Sequence, residues 1–287
     1  MSQDIRVRIL VGALALASLP GFSAAPNRAE ELYTHTDYER SIALLDKQST
    51  DPAVQFLLGR DYFMLADFKK ASGFLEKAVQ GCPQNAEYTD WLGRAYGRRA
   101  ETSNPLSAIG WASKARQAFE QSVALDPRNS DALDDLFDYY LEAPGFMGGG
   151  YDKALGVTAK MAAVDPAQAY FQRSKVAQKK KEYHDAEREL RQSIAAAPRS
   201  VGHLIELAKL LASQGHVSES DSVLSQARQT APNSPRLWLA TAGIYIQQKR
   251  NLDEAKELLV KYVQAPVTAD DPPKQEAVRL LRQVGGA

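Results

Sequence analysis

Acidic side chains recur along one predicted helix, and their spacing is better suited to recognition chemistry than any other feature of the sequence. Asp131, Asp134 and Asp138 stand at i, i+3 and i+7, which places them on one helix face with Asp135 beside them. Like charges one turn apart destabilise a helix by about 0.2–0.5 kcal/mol. The pattern therefore indicates a surface that gains from cations, supplied either by this chain or by a ligand.

Two interpretations of this acidic face are open. In the first, Arg94 and Arg98 of the preceding helix neutralise it, or it is a solvated helix start that the helix dipole favours. In the second, it is a patch for a basic peptide or a cationic ligand, covered by a loop in which Phe146 and Met147 form an apolar tip. The sequence favours the first interpretation.

Motifs for catalysis and metal binding are missing from the sequence. It contains no His-Glu-x-x-His, no pair of cysteines and no Gly-x-Ser-x-Gly elbow, and no Gly-Lys-Ser/Thr follows the glycine run at 148–150. The four histidines are scattered, with none at i+4 from another: His35, His184, His203 and His216. We therefore expect a non-enzymatic protein with no metal and no cofactor.

The overall charge is balanced, with 35 basic and 35 acidic residues. Such a surface gives no general reason to bind nucleic acid or an anionic membrane. Cys82 is the single cysteine, so no intramolecular disulfide can form. We expect this thiol to be buried at a joint between structural units.

The N-terminus, residues 1–25, has the pattern of a cleaved signal peptide. Arg6 and Arg8 precede an apolar run over residues 9–19, and small residues follow at 21–25. The apolar run is shorter than the roughly 20 residues that a membrane-spanning helix needs. We expect export to the periplasm or outside the cell, with no stable membrane insertion afterwards; the alternative is a frayed first helix of a cytosolic protein.

A helix–turn–helix pattern over residues 58–83 organises the chain. The first helix carries Leu58, Gly59 and Tyr62 on one stripe, and the second carries Ala71 and ends before Pro83. Gly and Ala allow two helix axes to approach closely, and Pro stops the second helix. This combination predicts a packed helical hairpin.

The same pattern recurs along the chain. The first-helix signature returns 34 residues later as Leu92-Gly93-x-x-Tyr96. A twelve-residue step from a small residue to proline occurs five times: Ala71 to Pro83, Ala115 to Pro127, Ala154 to Pro166, Ala186 to Pro198 and Ser220 to Pro232. The chain is therefore expected to consist of repeated helical hairpins.

This period and these residues resemble the tetratricopeptide repeat (TPR), in which one helical hairpin per unit stacks into a solenoid. The resemblance implies an all-α, right-handed superhelical solenoid of about six repeats over residues 52–266, with capping helices over 26–51 and 267–287. Insertions fall near residues 98–107 and 144–150. The second insertion resembles an Ala-Pro-Gly-x-x-Gly-Gly-Gly element of secreted bacterial TPR proteins, and its residues are expected over the groove: Phe146, Met147, Gly148, Gly149 and Gly150.

In TPR proteins the first helices of successive repeats line a concave groove. The resemblance places these residues in it: Phe56, Arg60, Phe63, Asp90, Arg94, Arg98, Asp131, Asp134, Asp138, Arg173, Ile205 and Lys209. It implies a non-enzymatic scaffold that binds a protein or peptide partner in the groove. The alternative is a small-ligand-binding TPR protein associated with a transporter, which a pocket closed by Phe146, Met147 and Trp111 would favour.

Overall fold

The structure is a computed structural model that describes residues 24–266 and 271–285. The described residues form fifteen α-helices and one short 3₁₀ turn, with no strand among them. The all-α fold predicted from the repeats is confirmed. The predicted signal peptide lies outside the described residues except for its last two positions, and part of the predicted C-terminal capping segment, at 267–270 and 286–287, also lies outside them.

The helices follow one another along the chain and pack mainly on their neighbours. Their bounds are α1 Ala24–Thr34, α2 Tyr38–Leu44, α3 Pro52–Met64, α4 Phe68–Gly81, α5 Ala86–Thr102, α6 Pro105–Leu125, α7 Ser130–Glu142, α8 Tyr151–Met161, α9 Pro166–Lys179, α10 Tyr183–Ala196, α11 Val201–Ser213, α12 Val217–Thr230, α13 Pro235–Gln247, α14 Leu252–Gln264 and α15 Lys274–Gly285. Each odd-numbered helix from α3 to α13 forms a hairpin with the helix that follows it, and first helices such as α5 and α7 also contact one another. This arrangement is a solenoid of helical hairpins.

Local chemistry explains where the helices begin and end. Short polar side chains cap most of the first helices by accepting a hydrogen bond from a first-turn amide, as Asn85 does from the Tyr88 N–H at 3.0 Å. Four of the repeated prolines directly follow the residue that caps the end of a second helix: Pro83, Pro127, Pro198 and Pro232. Pro166 differs, because it is the first residue of α9 and follows a short turn after α8.

Small residues lie where the two helices of a hairpin touch. A Cβ atom at Gly59 would stand 2.5 Å from the Cγ of Leu75, and one at Gly93 would stand 2.6 Å from the Cε1 of Phe119. The four repeated alanines are fully buried: Ala71, Ala115, Ala154 and Ala186. The repeat residues therefore set the distance between paired helices.

The tyrosines of the repeat stack on the second helices. The ring of Tyr62 lies parallel to that of Phe74 with centroids 5.4 Å apart, and Tyr96 stacks on Trp111 at 5.6 Å. The second hairpin is longer than the first, with 17 and 21 residues in α5 and α6 against 13 and 14 in α3 and α4. The Arg99 guanidinium covers the Trp111 ring at 3.4 Å on this extension.

The glycine-rich insertion of the third hairpin has a fixed path. After a 3₁₀ turn over Gly145–Met147, Gly148 takes a left-handed conformation with φ of 91°, and a Cβ at Gly149 would overlap the carbonyl oxygen of Ala143. The Tyr139 hydroxyl donates a hydrogen bond to the Met147 carbonyl at 2.8 Å. Glycine is therefore required here for its backbone conformation and for close approach.

Cys82 is exposed, so the predicted burial of this thiol is wrong. Cys82 caps the end of α4 with φ of −135° and ψ of 71°. Its side chain therefore no longer follows the buried stripe of that helix, whose last member is Ala78.

Candidate functional site

Among the described residues, first helices of successive hairpins line a groove that includes two pockets. The N-terminal pocket, of about 570 Å³, lies between α5 and α7, with contributions from Phe63 of α3, from α6 and from the glycine-rich turn. The C-terminal pocket, of about 710 Å³, is lined by α9, α11, α13 and α15 together with Pro272. Both volumes fall in the range of known ligand sites.

The N-terminal pocket combines an apolar floor with a charged rim. Apolar lining comes from Phe63, Ala112, Phe119 and Met147, and Gly97 leaves part of the wall open. The charged lining residues are Arg94, Arg98, Glu101, Asp135, Asp138 and Glu142. Five residues predicted to line or cover the groove are thus brought together here, in addition to Asp135: Phe63, Arg94, Arg98, Asp138 and Met147.

Arg94 is held by two carboxyl groups at the edge of this pocket. Its Nε lies 3.0 Å from Oδ2 of Asp90, and it also pairs with Asp135. Asp90 is 3% exposed; burial, followed by the nearby charge of Asp135, raises its pKa to about 8. Burial also raises the pKa of Asp135. Asp90, predicted to face the groove, is therefore a buried partner of Arg94.

The acidic stripe of α7 meets the next first helix, α9. The side-chain amides of Gln168 and Gln172 donate hydrogen bonds to Asp134 at 2.8 and 2.7 Å. Burial raises the pKa of this carboxyl group. Asp134 is consequently occupied within the chain.

The same stripe continues as two exposed ion pairs. Asp138 pairs with Lys175, and Glu142 lies 2.6 Å from Lys179. The side chains of these two acids are 51% and 59% exposed, so the pairs stand at the surface. Asp131 is exposed and forms no ion pair with the described residues. The following first helix, α9, thus neutralises most of the acidic stripe. In the sequence, the spacing of the lysine and glutamine residues along α9 is the feature that could have predicted this pairing.

The predicted neutralisation by the preceding helix is only partly correct. Arg94 reaches the acidic helix through Asp135. Arg98 instead pairs with Glu101 on its own helix and lies 5.1 Å from the ring centre of Phe68. Arg98 therefore remains an exposed cation at the pocket rim.

The N-terminal end of the predicted groove is closed by α1. Phe56 is buried and stacks on Tyr88 at 4.4 Å. Arg60 is 9% exposed, because its guanidinium lies 3.9 Å from the ring centre of Tyr33 and 2.9 Å from Glu30. Phe56 therefore packs the first hairpin against α5 of the second, and Arg60 holds the first hairpin to α1.

Three other predicted residues also lie away from the pockets: Arg173, Phe146 and Trp111. Arg173 leans over Tyr170 at 5.1 Å and lies 4.0 Å from Glu189, and it lines neither pocket. Phe146 is 75% exposed at the tip of the insertion, whereas Met147 points into the N-terminal pocket. Trp111 stacks on Tyr96 outside the pocket. Phe146, Met147 and Trp111 therefore do not close a cavity together.

The sequence did not predict the C-terminal pocket. Of its lining residues, only Ile205 and Lys209 were predicted to lie in the groove. Its floor includes Phe171, Leu239 and Leu280. Gly202 and Gly243 lie on two of the helices that line it, and a Cβ at either position would meet no atom within 4 Å. In the sequence, the glycines within the apolar helices α11 and α13 are the feature that could have indicated this pocket.

A buried polar network crosses the solenoid between the two pockets. His203 stacks on Phe171 at 4.7 Å, its Nδ1 lies 2.7 Å from the Ser193 hydroxyl, and its Nε2 lies 3.3 Å from Oε1 of Gln168. Burial lowers the pKa of His203, which keeps the ring neutral near pH 7. Since Gln168 also binds Asp134, the network joins α7, α9, α10 and α11.

Metal chemistry and membrane spanning find no support in the described residues. They contain no group of three or more His, Cys, Asp or Glu side chains placed to hold a metal ion. No helix within 24–266 and 271–285 combines the length and apolar character that a bilayer crossing requires.

Comparisons with known proteins bear on the fold. No protein-family model matches the chain, and neither does any curated protein. A TPR protein from Parabacteroides merdae is 14% identical, with a TM-score of 0.60 over 91% of this chain and 97% of that one. A thermophilic TPR protein from Thermus thermophilus is 16% identical, with a TM-score of 0.54 over 65% and 97% of the two chains.

A third similar structure is a chain of the hetero-tetramer Cut9–Hcn1 of APC/C. It is 13% identical, with a TM-score of 0.51 over 92% of this chain and 49% of that one. The shared architecture, together with the stacked hairpins described above, shows that this chain has the fold of a TPR solenoid, all-α and right-handed, with helices flanking the repeats.

Proposed function

We propose that this protein is a non-enzymatic scaffold that binds a peptide segment of a partner protein in its groove. The observation that carries this proposal is the N-terminal pocket, which is open, about 570 Å³ in volume and lined by first helices. An apolar floor inside a polar rim is the usual composition of a recognition site. The similar chain in the Cut9–Hcn1 hetero-tetramer supports the use of this fold in protein assemblies.

The rim of this pocket favours a peptide with a basic residue beside an apolar anchor. Four acidic residues and two arginines line it. The ion pairs of Asp138 and Glu142 with lysines of α9 are exposed, and exposed pairs contribute only about 0–1 kcal/mol each. A cation of the partner can therefore replace Lys175 or Lys179 at little cost, while an apolar side chain reaches Phe119 and Met147.

Export completes the proposal, with the periplasm as the expected compartment. The basic start, the short apolar run and the small residues of positions 1–25 support it. A fusion of residues 1–25 to a reporter enzyme that is active only outside the cytoplasm tests it. An inactive fusion, with a matched fusion to a known signal peptide active, would contradict export.

The binding proposal is tested with Gly97→Leu. A Cβ at Gly97 meets nothing within 4 Å, so leucine fills the pocket without displacing the helices, and it favours the helix. Peptides of about 16 residues are selected from a random phage-displayed library, and the affinity of the best peptide is measured by calorimetry. Filling an anchor pocket is expected to weaken binding at least about tenfold.

Gly156→Leu is the matched control. Gly156 lies inside α8, a second helix, and a Cβ there also meets nothing within 4 Å. This variant should bind the selected peptide as the unmodified protein does. The proposal fails if Gly97→Leu binds equally well, or if Gly156→Leu weakens binding by the same factor.

A further inference from the structure

The C-terminal pocket has the features of a binding site that the proposed function does not use. It is the larger of the two pockets, at about 710 Å³, and its apolar floor includes Ile205, Leu239, Ile244 and Leu280. These side chains come from three different helices, α11, α13 and α15. The floor is therefore continuous across hairpins, as a surface that receives another chain must be.

Two glycines border this pocket, and one of them weakens its own helix. Gly243 lies in the interior of α13, where glycine is less favourable than any residue except proline, whereas Gly202 is the second residue of α11. A Cβ at either position would meet no atom within 4 Å, whereas one at Gly59 or Gly93 would overlap the paired helix. Packing against the paired helix thus explains Gly59 and Gly93, whereas the space beside Gly202 and Gly243 is open to the pocket.

The charge of this pocket is opposite to that of the N-terminal pocket. It is lined by three basic residues (Lys209, Arg236 and Arg279) and two acidic ones (Glu206 and Glu276), a net charge of +1, against two basic and four acidic residues, net −2, in the N-terminal pocket. Lys209 already pairs with Glu206 at 2.7 Å. Arg279 is exposed and has no ion pair or hydrogen bond within the described residues, so it is available to an anion.

We propose that the C-terminal pocket is a second subsite of the groove, which binds an acidic, apolar segment of the same partner whose basic segment binds the N-terminal pocket. Arg279 binds the acidic side chain, and apolar side chains of the partner fill the space over Leu239 and Ile244 beside Gly243. This subsite rests on the proposed function. Its consequence is that the groove fixes the direction in which the partner chain lies.

The separation of the pockets sets the length of the ligand. They are centred on α5 with α7 and on α11 with α13, three hairpins apart. With helix axes packed about 8–10 Å apart, three hairpins span about 25–30 Å. An extended chain at about 3.3 Å per residue covers this distance with about nine residues. A peptide of about 16 residues therefore reaches both pockets.

The test applies the same phage selection to the unmodified protein, to Arg279→Glu and to Gly156→Leu. Peptides selected by the unmodified protein and by Gly156→Leu should be enriched in Asp or Glu about nine residues from a Lys or Arg. Against Arg279→Glu the acidic enrichment should disappear, while the basic residue and its apolar neighbour are retained. Acidic enrichment that survives Arg279→Glu would overturn the proposal.

Affinities of the full peptide and of its basic half provide the second measurement. The unmodified protein should bind the full peptide at least about tenfold more tightly than the half, and Gly243→Leu should bind both alike. Equal affinities for the unmodified protein overturn the second subsite alone, provided that Gly97→Leu still weakens the half peptide. Failure to select any peptide sensitive to Gly97→Leu overturns both the subsite and the proposed function.

Discussion

Substituting alanine for two glycines one turn apart on α5 separates packing from helix propensity. A Cβ at Gly93 would stand 2.6 and 2.7 Å from two ring atoms of Phe119, while a Cβ at Gly97 meets no atom within 4 Å. Alanine favours a helix interior over glycine by about 1 kcal/mol at either position. Only Gly93→Ala adds the cost of overpacking, which is about 1–3 kcal/mol in a filled core.

The expected result is a difference in the free energy of unfolding between the two variants. Gly97→Ala should stabilise the protein by about 1 kcal/mol. Gly93→Ala should lie about 2 kcal/mol below it, because Phe119 is 6% exposed and packs in the core, where its ring cannot swing away. For a chain of this size, that difference corresponds to about 4–8 °C in Tm.

Thermal and urea unfolding followed by helical circular dichroism measure the difference. Both substitutions lie on one helix, so the same part of the solenoid reports both, which matters because repeat proteins can unfold in segments. Equal shifts for the two variants would refute the reasoning, since the close contact at Gly93 would then have no energetic consequence and the register of the hairpin would be wrong.

Three further predictions concern the buried polar groups and the insertion. Because burial and the nearby charge of Asp135 raise the pKa of Asp90 from 3.8 to about 8, the folded state holds a proton that the unfolded state releases, so its stabilising contribution is full below about pH 4 and is lost by about pH 8; Asp90→Asn should remove a decline of at most about 1.4 kcal/mol per pH unit in urea titrations across that range. Gly149→Ala should lower the free energy of unfolding by about 1–3 kcal/mol through the clash with Ala143, while Gly145→Ala, whose Cβ meets nothing, should be neutral in the same melt. Arg60→Ala should destabilise by about 2 kcal/mol by removing packing on Tyr33, and Arg98→Ala, an exposed cation, should change stability by less than about 0.5 kcal/mol.

The hairpin architecture was predictable because its causes are local. Gly59 and Gly93 face a side chain of the very next helix, and four of the five repeated prolines directly follow the end of a second helix. Each signal thus lies within about 30 residues of its effect, and the repetition exposes it several times. The glycines of the insertion were predictable for the same reason, since the required backbone conformation at Gly148 is a property of one position.

The contents of the groove were harder to predict because they depend on which helices lie side by side. The sequence placed Arg94 and Arg98 beside the acidic stripe, but Lys175 and Gln168 of the following first helix meet most of it. Arg60 belongs to the groove in an ideal repeat and is covered here by a degenerate helix that carries Glu30. In both cases the partner is set by the superhelical stacking, which the repeat period does not specify.

Glycines of the first helices show why the repeats could be predicted from the sequence and the two pockets could not. In the sequence, Gly93 belongs to the Leu92-Gly93-x-x-Tyr96 signature, whereas Gly97, one turn further along the same helix, belongs to no motif. In the structure, Phe119 lies against the first, and the second faces the open N-terminal pocket. A glycine that opposes nothing weakens its helix without improving the core, and where it lines a pocket it leaves space beside it that a ligand can fill. Gly243 meets the same condition in the C-terminal pocket, which is why both proposals are tested by filling these positions, and the second also by reversing the charge of Arg279.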